Sequence, residues 1–133
     1  MAGETPTEYI RRLMPLCATL GFKADSVGPD LVSLSVVWAP ELCTAGGVLH
    51  GGVIMALADS AAATCAFLNL PEGSSGTATI EGKTNFLAGI RSGMVSASSR
   101  PLHVGSRSIV IETEVHSGER RLAAKVIQTQ AVL

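Results

Sequence analysis

Charge is scarce in this sequence of 133 residues: ten Lys and Arg stand against eleven Asp and Glu, a net charge of −1, and only 16% of positions are charged. The cations stand singly or in pairs, so no basic face for nucleic acid can be read from them. Cysteine is equally thin. Cys17, Cys43 and Cys65 show neither CxxC nor CxxH spacing, which argues against a disulfide framework and against a zinc site and leaves them as small core residues. A long apolar run is missing too, since the stretch 53–67 falls short of the roughly 20 residues a membrane span needs and carries Asp59, Ser60 and Thr64. The opening "MAGETPTEYIRRLM" lacks the basic start and apolar stretch of a secretory signal. A cytoplasmic location is expected, with no membrane, metal or cofactor.

What the chain has in abundance is small and apolar side chains. With 47% hydrophobic residues and a mean hydropathy of +0.37, it is apolar enough that part of its surface is expected to lie against a partner chain. The length suits one domain over residues 1–133.

The residue pattern predicts the elements. Thr5 caps a short amphipathic helix with Pro6 at its first position and Glu8 closing a capping box; Pro15 ends or kinks it near Met14. From Phe22 the period changes to two, and "LVSLSVVW" (31–38) alternates as a strand after a Gly28-Pro29-Asp30 turn. The stretch 53–70, "VIMALADSAAATCAFLNL", is too long and too rich in Ala, Leu and Met for a strand; it reads as a helix apolar on nearly every side and therefore enclosed. Four extended segments follow, 77–86, 93–103, 106–116 and 121–133, with "HSGERR" as a hairpin turn. One long helix enclosed by a curved antiparallel sheet, the last four strands forming a meander, is the expected α+β arrangement. Phe86, Trp38 and Met55 read as core.

The chemistry is concentrated between Cys43 and Leu70. "GGVLHGG" is rich in glycine and leads into the helix, yet it lacks the GK[ST] ending of a phosphate loop and does not fit GxGxxG. Ser60 points about 100° away from Asp59 on a helix, and no GxSxG elbow exists, so a nucleophilic triad is excluded. What remains is a helix N-terminus at Gly51 and Gly52, whose N–H groups have no partner within the helix and suit a carbonyl oxygen on which negative charge develops. Asp59 is the one carboxylate in an apolar run with no Lys or Arg within a turn, the position of a capping group or of a base or nucleophile. Eight residues separate Gly51 from Asp59, roughly 12 Å along a helix axis, so one carbonyl cannot touch both. If both serve one reaction, they come from two antiparallel copies of the helix in a symmetric dimer with two sites.

With His50, Gly51, Gly52 and Asp59 set out as HGG-x6-D entering a helix, the chain resembles the hotdog-fold acyl-CoA thioesterases, in particular the phenylacetate-pathway (PaaI-like) branch. The resemblance runs over most of the chain, 44–130, and implies a long helix wrapped by a curved antiparallel sheet of five to six strands, a homodimer joined sheet edge to sheet edge, and a homotetramer of such dimers. It also implies hydrolysis of an acyl-CoA thioester at the dimer interface. On it, the Gly51 N–H polarises the thioester carbonyl, His50 and Gly52 shape that loop, and Asp59 of the facing chain activates water or attacks directly. A hydroxyl on the next strand, Thr77 or Thr79, would position the water, and Phe86 would lie near the acyl side. The chain departs from the pattern at Thr44, where many relatives have Asn or Gln as a second carbonyl contact, and at Ala63, where some have Thr. It departs again at Gly105-Ser106-Arg107, where a Gly-Arg or Gly-Lys pair is frequent; Ser106 and Arg107 remain candidates for holding the CoA. A hotdog hydratase or dehydratase, and an acyl-CoA-binding module without catalysis, are the rival functions.

Overall fold

The structure, a computed structural model, describes residues 3–118 and 120–133. Met1, Ala2 and Glu119 lie outside them, and with them one residue of the "HSGERR" turn and the first two of the expected leaderless start. The elements are α1 (Pro6–Leu13), α2 (Pro15–Thr19), β1 (Lys23–Val27), β2 (Val32–Val37), α3 (Gly51–Leu68), β3 (Thr77–Phe86), β4 (Met94–Val104), β5 (Ser108–Ser117) and β6 (Leu122–Val132).

Local chemistry accounts for the start. The Glu8 amide donates to the Thr5 hydroxyl at 3.1 Å and the Thr5 amide to the Glu8 carboxylate at 2.8 Å, a complete capping box. Pro15 has no N–H to continue α1, so the helix caps at Met14 and restarts as α2. The expected turn at Gly28-Pro29-Asp30 closes the β1–β2 hairpin, with the Gly28 amide on the Leu31 carbonyl at 3.0 Å.

The six strands form one antiparallel sheet in the order β1-β2-β4-β5-β6-β3. The expected four-strand meander is thereby corrected. Strands β4, β5 and β6 do meander, but β3 pairs with β6, from Thr77 opposite Val132 to Phe86 opposite Ala124. Alternation marks a strand without naming its neighbour, and β2 occupies the other edge of β4 from Val32–Ser99 to Val37–Met94. The free edge of β6 is what β3 is left to take, and β3 becomes a sheet edge.

Helix α3 lies against the sheet with Ile54, Leu57, Ala58, Ala61, Ala62, Cys65 and Ala66 buried. Burial pushes the Cys65 thiol up to about 11 and raises that of Cys17, so both remain protonated core groups. With 18 residues and a mean hydropathy of 1.6, α3 is long and apolar enough to cross a membrane, yet 56% of it is buried against its own chain. The sequence pattern predicts enclosure on all sides. Within one protomer the helix instead keeps an open stripe through Gly52, Met55, Asp59 and Phe67. Met55 at 47% and Phe86 at 52% are exposed, not core, and β3 beside Met55 is exposed along most of its length, with Ile80 at 63%.

Candidate active site

The loop before α3 is held from several sides. Gly46 and Gly47 both take the left-handed conformation, φ +77° and +74°, which a side chain would resist. Their carbonyls accept from Arg91 Nη1 at 2.8 Å and Trp38 Nε1 at 3.1 Å. The Leu49 amide donates to the Ile90 carbonyl, and the His50 amide to that of Leu42. Arg91 has no role legible in the sequence, and Trp38 reads there as core; both prove to be loop anchors.

At the helix start the expectation that both glycine amides are free is corrected. His50 is the N-cap, and its Nδ1 accepts from the Gly52 amide at 2.7 Å. An accepting nitrogen carries no proton, so the neutral ring is protonated at Nε2. The Val53 and Ile54 amides donate to the His50 carbonyl. Among the described residues this leaves only the Gly51 amide without an acceptor in the first turn. A Cβ at Gly51 would come within 3.1 Å of the Phe86 ring, and one at Gly52 within 2.9 Å of His50 Nδ1, so a side chain at either position must displace one of these rings. Gly51, Thr44 and Phe86 share a pocket of about 380 Å³ whose other walls include Val48, Ile54 and Leu87.

Because the cap is a single side-chain hydrogen bond, His50→Ala is expected to lower stability by about 1 kcal/mol in chemical denaturation. His50→Asn, a strong N-cap, should recover most of that loss.

The second half of the constellation lies two turns along α3. Asp59 is exposed in the protomer and is not isolated. Its Oδ1 accepts from Thr79 Oγ1 at 2.8 Å and from Gln128 Nε2 at 2.9 Å. It opens into a pocket of about 400 Å³ bounded by Leu16, Met55, Thr84 and Val126. Thr79 and not Thr77 meets the carboxylate: the Thr77 hydroxyl lies 2.7 Å from the Ala131 carbonyl and 3.1 Å from Gln130 Oε1. Gln130 Nε2 in turn donates to Thr79 Oγ1 at 2.6 Å. Ala63 offers no hydroxyl from the helix side.

Gln128 and Gln130 escaped the sequence reading, although a signal for them exists. In "KVIQTQAVL" they fall on the same strand face as Val126, so two amides occupy positions that alternation assigns to the core, and they are 2% and 0% exposed. Ser106 and Arg107 are exposed in the β4–β5 turn, where the Arg107 carbonyl accepts from the Val132 amide. That end of the sheet is the Thr77 end of β3, whereas Gly51 sits at the Phe86 end, so the protomer does not bring them to the glycine pocket.

Two polar groups therefore stand apart on one chain: a free helix-terminal amide beside an apolar pocket, and a carboxylate oriented by two donors. Known proteins share this framework. The sequence model of the Thioesterase superfamily matches residues 46–124. A protein of Mycobacterium tuberculosis is 34% identical over 96 residues, 71% of this chain and 69% of that one. The 1,4-dihydroxy-2-naphthoyl-CoA hydrolase of Escherichia coli is 28% identical over 114 residues, 86% of this chain and 83% of its own. Among solved structures, a thioesterase from Haemophilus influenzae superposes with a TM-score of 0.88 at 25% identity, covering 98% of this chain and 91% of that one.

Proposed function

The chain belongs to the thioesterase superfamily, and from that premise we propose that it hydrolyses a small or medium acyl- or aryl-acyl-CoA thioester to the free acid and CoA. The observation that carries this reading is the Asp59 carboxylate, held by Thr79 and Gln128 on the same open face as the uncommitted Gly51 amide. A thioester carbonyl seated at Gly51 would have its developing oxyanion met by a backbone N–H at the positive end of α3. Asp59 would act as general base or nucleophile at the acyl carbon. On the general-base route, the water oxygen bonds to that carbon and its proton passes to the carboxylate; the oxyanion then re-forms the carbonyl as the C–S bond breaks, and Asp59 returns the proton to the departing CoA thiolate.

The two groups, roughly 12 Å apart along the axis, can serve one carbonyl only across two chains. The open stripe of α3 and the unpaired edge of β3 are the surfaces a second copy would cover, and an uncovered edge strand of ten residues is an aggregation hazard. Antiparallel stacking that sets Gly51 opposite Asp59 puts Met55, midway between them, against its own copy on the two-fold axis. Each homodimer then holds two sites, with Gly51, His50, Thr44 and Phe86 from one chain and Asp59 and Thr79 from the other. Ser106 and Arg107, near the Thr77 end of β3, would come with the Asp59 side, where Arg107 is placed to meet a CoA phosphate.

An aryl-acyl substrate is supported by the apolar walls around Gly51 and by the aromatic acyl group named for the Escherichia coli relative. The test is thiol release across a panel of aryl, short and long acyl-CoA esters. Free CoA above the uncatalysed rate with at least one ester is the expected result; double-bond hydration without thiol release would indicate a hydratase, and tight binding with no release a carrier module.

A further inference from the structure

We propose that Gln130 is a positioning residue for this hydrolysis, setting through Thr79 which oxygen of Asp59 reacts; the inference rests on the role given to Asp59 above. A hydroxyl has one hydrogen. Gln130 Nε2 donates into Thr79 Oγ1 at 2.6 Å, so the threonine hydrogen is turned to Asp59 Oδ1 at 2.8 Å. Thr77 does not fix the amide, because its one hydrogen has the Ala131 carbonyl at 2.7 Å as a nearer acceptor than Oε1 at 3.1 Å; the Thr79 side does. Turned over, the amide would set two acceptors 2.6 Å apart whenever Thr79 donates to Asp59. Gln128 Nε2 adds a second donor to the same Oδ1 at 2.9 Å.

Oδ2 receives no donor from the described residues, and it is the oxygen left for water or the acyl carbon. Oδ1 is the held oxygen and Oδ2 the reacting one. Two fully buried amides in a core row need partners to be tolerated there. Here their donors converge, one directly and one through Thr79, on a single carboxylate oxygen. The sheet thus supplies the hydroxyl that Ala63 does not.

The test is a double-mutant cycle between Gln130→Met and Thr79→Val, read as kcat and KM with the best ester of the panel. Gln130→Met is expected to lower kcat about tenfold with KM within about twofold, the scale of a modest misplacement of a reacting group. In the Thr79→Val background the same change should add nothing, since the route through the hydroxyl is gone. An additive effect, or a loss that falls on KM and leaves kcat unchanged, overturns the proposal. If Gln130→Met does not fold, Gln130→Leu removes the same Nε2 donor, with a comparable loss of kcat and the same coupling to Thr79 expected. An Asp59→Asn control separates the two readings: retained turnover removes Asp59 and this relay together, whereas an inactive control with no coupling between Gln130 and Thr79 removes the relay alone.

Discussion

Asp59→Asn is expected to lower turnover by about three orders of magnitude, the scale on which a positioned base contributes. The asparagine oxygen can still accept from Thr79 and Gln128, so the substitution removes the charge and the proton-accepting oxygen while keeping the local hydrogen bonds. Asp59 is exposed in the protomer, and thermal unfolding should therefore shift by no more than a few degrees. This separation of activity from stability is the signature of chemistry at the carboxylate. Turnover within a few-fold of the unmodified protein, measured as thiol release with the best ester, would refute the assignment.

The second large effect is a recovery. Gly51→Val places a branched side chain where even a Cβ would stand 3.1 Å from the Phe86 ring, which crowds the pocket and shields the one free amide. Alone it should be inactive, as should Asp59→Asn. Co-expressed, or mixed after denaturation and refolded, the two chains distribute at random, and half of the dimers are mixed. Each mixed dimer holds one site with an intact Gly51 from one chain and an intact Asp59 from the other, so the mixture should recover about a quarter of the original activity. Activity no greater than that of the separate variants would place both groups in one chain and contradict the two-chain site.

Much of the local architecture was legible in the residues. Thr5, Pro6 and Glu8 announce the first helix because a capping box spans only four residues, and Pro15 ends it because it lacks a donor. The 77–86 segment coincides with β3, and the long helix begins at Gly51, where the glycine pair predicts its N-terminus, with His50 as the cap. The neighbour of β3 was not legible, since strand pairing depends on which edge the rest of the sheet leaves free.

The site divides in the same way. His50, Gly51 and Asp59 are set by position along one helix, where rise per residue is constant, and their eight-residue spacing from Gly51 to Asp59 follows from order alone. Which donors hold the carboxylate does not. Thr79, Gln128 and Gln130 lie 20, 69 and 71 positions from Asp59 and reach it only because β3 pairs with β6 beneath the helix. Helix and turn chemistry is short in range and written in adjacent residues. The polar network behind the carboxylate is a contact between distant segments, and packing alone decides which of them meet.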